Sequence, residues 1–203
     1  MPDPVGPTVA ELIELLARGD QPAAVTGMYR WLDSEQRQRT WKAWRRGRLA
    51  RIEEPPGVLA LIAGERTYWM SWPPADGIVA VPRNSDIDDF ELSALTKPDP
   101  HTYWRSWLLR EPETVEATLH RVEHDGRAAW QFVAPEAEGA RCVLTVDERT
   151  GLLVRAEHPE AGVFKEWWDL SDEVPDDETF AYHGEWQRAA EFSHRYPPDW
   201  QPT

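Results

Sequence analysis

Between Pro22 and Pro82 the chain is a succession of strand-length runs cut by turn residues, and this rhythm constrains the fold more than any other feature. The runs are Ala23–Leu32, Thr40–Trp44, Gly47–Glu53, Val58–Ala63, Arg66–Trp72 and Ile78–Val81, with EEPPG, AGE and PPADG between the later ones. Short apolar and aromatic runs bounded by Gly and Pro predict an antiparallel meander. Gly47, inside one run, predicts a bulge of the kind a strongly curved sheet needs.

Helical signals flank the meander. Thr8-Val9-Ala10-Glu11 is a capping box, and Leu12, Ile13, Leu15 and Leu16 follow before Gly19, which predicts a helix over 9–18. Ser85 predicts the cap of a helix over Asp86–Thr96, with Ile87, Phe90 and Ala94 on one face. Asp99-Pro100 opens another over Pro100–Leu109, where Trp104, Trp107 and Leu108 share a face. Strands then resume at Thr114–His124, Arg127–Ala134, Ala140–Asp147, Leu152–Glu157 and Val163–Leu170, and Asp125-Gly126 is a hairpin turn. The fold class is α+β. One domain over 1–184 is expected, followed by an irregular polar and aromatic tail over 185–203.

The chain of 203 residues carries a formal charge of −14, which repels nucleic acid and anionic membrane on average. Its one cysteine, Cys142, excludes an internal disulfide framework and a multi-cysteine zinc site. Between Val143 and Leu144 it reads as a small core hydrophobe. No apolar run reaches the roughly 18 residues that span a bilayer. The start, MPDPVGPTVAELIELL, has no basic segment followed by an apolar one. The expected location is therefore the cytoplasm.

Three motifs invite chemistry. His120-Arg121-Val122-Glu123-His124 spells H-x-x-E-H, which in zinc peptidases sits on a helix and aims both imidazoles at one metal. Here it precedes a hairpin turn, and in a strand the two His lie about 13 Å apart at Cα. No metal, no cofactor and no catalytic residue is expected. A hydrolase using His120, Glu123 and His124 is the alternative that metal analysis would detect. The span Arg37–Arg51 holds seven basic residues and no acid, with Trp41 and Trp44 interleaved. It is expected on the outer face of two strands, paired with the acidic stretch between Glu166 and Glu185; an anionic ligand is the minority alternative. NSDIDDFE lacks the Gly and Glu positions of a calcium loop.

The chain holds 12 Trp, against 5 Phe and 5 Tyr. Either the indoles build the core, or they line a large apolar cavity between sheet and helices. The cavity-lining candidates are Trp69, Trp72, Trp104, Trp107, Trp130 and Trp167.

The stretch GRLARIEEPPGVLALIAGERTYWM resembles the hallmark of the LolA/LppX/RseB type of lipoprotein-carrier domain, through Arg51, Glu53, Pro56, Gly57, Gly64, Glu65 and Trp69. The family's D-x-x-T-G-L hairpin is matched by Asp147, Thr150, Gly151 and Leu152. Lys165-Glu166-Trp167 and Val174–Phe180 resemble more closely a bacterial, signal-less group ending in DEW…L…LPDE-x-F. The resemblance runs from about Ala23 to Phe180. It implies a strongly bent antiparallel sheet, an incomplete barrel, with helices covering its concave face and acyl chains held beneath them. Unlike the exported carriers, this chain shows no signal peptide or lipobox. The expectation is a non-enzymatic protein that holds a lipid-like ligand. The alternative is a protein-interaction module whose Trp-filled core holds no ligand.

Overall fold

A computed structural model describes residues 6–20, 22, 24–71, 77–83, 101–135, 140–188 and 200–202. Among the described residues there are three α-helices: α1 (Val9–Asp20), α2 (Thr102–Leu108) and α3 (Pro112–Thr118). The first six strands are β1 (Val25–Leu32), β2 (Gln38–Arg46), β3 (Leu49–Glu54), β4 (Val58–Ala63), β5 (Thr67–Ser71) and β6 (Ile78–Pro82). The others are β7 (His120–His124), β8 (Arg127–Pro135), β9 (Arg141–Asp147), β10 (Leu153–His158), β11 (Val163–Ser171) and β12 (Gln187–Arg188).

All twelve strands join one sheet in the order β12-β6-β5-β4-β3-β2-β1-β11-β10-β9-β8-β7. Each half is a meander, and β1 pairs with β11 to fuse them. Every pairing is antiparallel except the short β12–β6 contact. The sheet stays open, with β7 and β12 at its ends, so the predicted α+β class and curved open sheet are observed.

Strand register assigns the faces. Tyr29 pairs with Trp41, Ala43 with Ile52, Ile52 with Leu61, Leu61 with Met70 and Met70 with Val79. Directly opposed residues share a face, so these form one inner surface. Val154 and Ala156 alternate in step on β10 and connect its two halves. Helices α1, α2 and α3 cover the β8–β10 half, where Leu12, Leu15, Leu16, Leu108 and Val115 pack on Phe132, Leu144 and Val146.

Local chemistry explains how α1 is held. The Thr8 N–H donates to Glu11 Oε2 at 2.7 Å, and the Glu11 N–H donates to Thr8 Oγ1 at 3.3 Å, as a capping box requires. The far end lies on the turn of the D-x-x-T-G-L segment. There Asp147 accepts from the Thr150 N–H at 2.7 Å and from Arg127 Nε at 2.7 Å. Gly151 has φ +74, and a Cβ built on it would fall 1.8 Å from the Leu15 carbonyl oxygen. Helix and turn therefore meet backbone to backbone, which only glycine permits.

Three local expectations change. Gly47 does not sit in a bulged strand; with φ +55 it forms, with Arg48, the two-residue turn between β2 and β3. Thr114–Leu119 is not the start of a strand. Pro112 opens helix α3 there, and strand β7 begins only at His120. The anticipated helix over 86–96 lies outside the described residues, as does the NSDIDDFE segment. Within the tail, Gln187–Arg188 pairs with β6, and Trp200 is buried against Ile62, Trp69 and Ala80.

Candidate functional site

The inner face of β1, β2 and β11 concentrates aromatic side chains. Tyr29 stands 6.0 Å from Trp41 and 5.5 Å from Trp167, ring centre to ring centre, the latter edge-to-face. All three are buried, and Trp31 packs beside them. Two cations stand near the β1–β2 turn: Arg39 over Trp41 at 5.1 Å and Lys165 over Trp31 at 5.9 Å.

Polar atoms in this surface are incompletely matched. The Tyr29 hydroxyl and the Trp41 indole N–H are buried without a hydrogen-bond partner among the described residues. Burial pushes the Tyr29 phenol well above its ordinary value, so it stays protonated. Arg45 shares the face, two strand steps from Ala43, and is 1% exposed. Its Nη2 donates to the Asp20 carbonyl at 2.7 Å, satisfying the end of α1. Its Nε and Nη1 have no partner among the described residues. Burial lowers this guanidinium to about 10, against the pull of the Asp20 carboxylate. Asp20 also pairs with Arg105 and accepts from the His101 N–H at 2.8 Å. Burial drives His101 down to about 4, so it is neutral near pH 7, with Nδ1 3.0 Å from the Leu16 carbonyl.

The anticipated Trp set is dispersed. Trp167 and Trp130 line the inner face, in different halves, and Trp104 reaches it from α2. Trp107 is buried on α2, stacked under Arg110 at 3.6 Å. Trp69 faces the opposite, outer side of the sheet, where it pairs with Ala80 and Ile62 and meets Tyr182. Trp72 lies outside the described residues. Tyr29, Trp41 and Arg45, which make the core of the site, were not among the candidates. The alternation Trp41, Ala43, Arg45 in a strand was their signal.

The outer face also carries a groove of about 740 Å³, lined by Trp69, Phe180, Tyr182, Trp186, Arg46 and His183 among others. Elsewhere on this face charges are matched. Glu166 accepts from Arg30 Nε at 2.6 Å and from Arg155 Nη1 at 2.7 Å. The basic span finds acids nearer than the anticipated stretch: Arg39 pairs with Glu54 and Arg51 with Glu53 from β3, while Arg46 pairs with Asp177 of that stretch. Arg39 and Arg45 break the expected outward facing: both share the inner face of β2 with Trp41 and Ala43, and of the two Arg45 is the buried one.

His120 and His124 occupy strand β7, each with its own carbonyl: Thr118 O at 2.8 Å and Trp167 O at 2.7 Å. Among the described residues no cluster of His, Cys, Asp and Glu is arranged to hold a metal. Cys142 is fully buried, as expected, but it has a His neighbour that the sequence separation hid: His158 Nε2 lies 3.8 Å from Sγ across the β9–β10 pair. No helix among the described residues is long and apolar enough to cross a membrane.

Comparison with known proteins bears on the fold. MucB of Pseudomonas aeruginosa, in its complex with MucA, superposes with a TM-score of 0.57 at 14% identity, over 86% of this chain and 61% of that one. MucB alone gives 0.55 at 13% identity, over 87% and 63%. The fold is therefore similar to that of MucB. A conserved protein of Thermus thermophilus gives 0.50 at 12% identity and is covered almost entirely, over 97% of this chain and 99% of that one. The present chain thus spans about 60% of the length of MucB. No family model matches the sequence, and no curated protein matches it.

Proposed function

We propose that this chain is a non-enzymatic binding protein that holds an apolar or amphipathic, lipid-like ligand against the inner face of its sheet. One observation carries the reading: donors on Tyr29, Trp41 and Arg45 are buried and unmatched among the described residues, on a surface otherwise built mainly of aromatic and aliphatic side chains. Leaving such donors unmet costs about 1–3 kcal/mol each. A ligand with an oxygen-bearing end and an apolar body would meet them and fill the same surface. The fold supports this, since it presents a curved sheet with helices over one face.

Native mass spectrometry of the purified protein, and titration of its Trp fluorescence with dodecanoate, test the proposal. The expected result is a bound acyl species or a saturable change, reduced in Arg45→Met. A protein that carries nothing and whose fluorescence ignores dodecanoate would sink it.

A second reading has its own support. The outer groove is aromatic and open, and MucB has been solved bound to a protein, MucA. Under this reading the groove beside Trp69 and Trp186 receives a protein segment. Loss of a stoichiometric complex in Trp186→Ala, with dodecanoate binding intact, would favour it over the first.

A further inference from the structure

Strand β7 forms one open edge of the sheet, and its sequence is self-complementary in charge. The β7–β8 pairing runs His120↔Gln131, Val122↔Ala129 and His124↔Arg127. The two-residue turn Asp125-Gly126, with φ of 52° and 75°, makes His124 and Arg127 a hydrogen-bonded pair. Bonded and non-bonded pairs alternate from there. His120, Val122 and His124 therefore turn their peptide groups toward β8, and Arg121 and Glu123 turn theirs outward. Both side chains are exposed, and among the described residues no further strand pairs with this edge.

A second β7 laid antiparallel about a two-fold axis through Val122 places Arg121 opposite Glu123 of the second copy, and Glu123 opposite Arg121. These are the residues whose peptide groups face outward, so the same register closes four backbone hydrogen bonds. The other registers that match outward groups pair only Arg121 with Arg121 or Glu123 with Glu123, which sets like charges together. Charged side chains commonly protect an exposed edge. Here the order of signs, plus then minus around a central Val, makes one symmetric pairing favourable and its neighbours unfavourable. Arg121 already meets Glu148 in its own chain, at 2.8 Å. In the pair it would lie between that carboxylate and Glu123 of the second copy.

We propose that the β7 edge joins two copies of this chain into one continuous sheet with two-fold symmetry. The inference is independent of what the inner face binds. An edge of five residues buries well under the roughly 1,200 Å² of a stable interface, so the dissociation constant is on the order of 100 μM.

Sedimentation velocity from about 10 μM to 1 mM in low salt should show a monomer–dimer equilibrium. Glu123→Arg sets Arg against Arg at both symmetric positions and should weaken association about tenfold or more. Adding Arg121→Glu to that variant restores opposite charges and should recover the dimer. Far-UV circular dichroism checks that each variant is folded.

Val122→Cys supplies a readout that does not depend on affinity. Val122 meets its own copy as a non-bonded pair, with Cα atoms about 4.5 Å apart, within disulfide range. Mild oxidation should cross-link Val122→Cys but not Glu123→Cys, which faces Arg121 across the axis; the native Cys142 is buried. A wild-type chain that stays monomeric to 1 mM with no excess cross-linking of Val122→Cys would overturn the proposal. So would a dimer indifferent to Glu123→Arg.

Discussion

The contact between α1 and the turn at Gly151 decides how the helix layer sits over the inner face, and substitution can isolate it. Gly151→Ala does two things. It forces alanine into φ +74, and it places a Cβ 1.8 Å from the Leu15 carbonyl oxygen. The first costs about 1–2 kcal/mol. The second cannot be met by a rotamer change, because the obstacle is backbone; helix and turn must separate, which costs a further 1–3 kcal/mol or so. Gly126→Ala is the control, since Gly126 has φ +75 and nothing within 4 Å of its would-be Cβ. Both variants carry the same backbone strain, and only one carries the clash. Urea unfolding followed by circular dichroism should place Gly151→Ala below Gly126→Ala by about 1–3 kcal/mol, a further drop in Tm of roughly 3–10 °C. Gly19→Ala attacks the contact from the helix side, 2.0 Å from the Gly151 carbonyl oxygen, so the double variant should lose less than the sum. Equal stability of Gly151→Ala and Gly126→Ala would refute the claim that this contact is tight.

Further outcomes follow from the buried polar groups. Glu166 is pushed up by burial but held below its ordinary 4.5 by hydrogen bonds from Arg30 and Arg155, so its stabilisation is present above pH 4.5 and lost as pH falls through the depressed value. Glu166→Gln should destabilise by about 2–4 kcal/mol at pH 7 and flatten the acid limb of a stability–pH curve. His101, lowered from 6.5 to about 4 by burial, leaves the unfolded chain binding more protons between those values, so wild-type stability should fall as pH drops from 6.5 to 4. His101→Asn, which keeps a donor near the Leu16 carbonyl, should remove that slope. Tyr29→Phe deletes an unmatched buried hydroxyl and should leave the ligand-free protein as stable or up to about 1 kcal/mol more stable, measured by thermal melting after delipidation.

What the sequence disclosed was whatever local chemistry determines. The Thr8–Glu11 box, the Asp125-Gly126 turn and the run Val58–Ala63 need no distant partner to be recognised, and each lies where expected. Thr114–Leu119 misleads because Thr114, Val115 and Thr118 favour strands; the decisive signals are Pro112 at the helix start and Val115, whose burial against the sheet fixes the helix from outside. Gly47 misleads because a strand with a bulge and two strands with a tight turn differ only in pairing. The facing of Trp69 is a harder case. Alternation tells that Trp69 opposes Tyr68 and Met70, but which side is inside depends on the register with Ile62 and Ala80. Arg45 was hidden by company: six other basic residues in Arg37–Arg51 suggest a solvated surface, although parity with Trp41 and Ala43 already marked it as inward.

That inward arginine separates the two faces of the sheet by how their polar groups are matched. On the outer face, Glu166 has two arginines, Asp147 has Arg127 and Thr150, and Arg46 has Asp177. Each of these charges is matched within the fold, so that part of the surface is complete as it stands. On the inner face a buried guanidinium commits one nitrogen to the end of α1 and keeps two unmatched among the described residues, and further along the same face a phenol and an indole are in the same condition. A fold selected only for stability would replace such groups by apolar ones of similar volume, because a buried polar group left unmatched costs more than an apolar one in its place. Their presence makes sense if the missing partner arrives from outside the chain. The same groups also link the site to its cover, since the carbonyl that Arg45 does hold belongs to the last residue of α1.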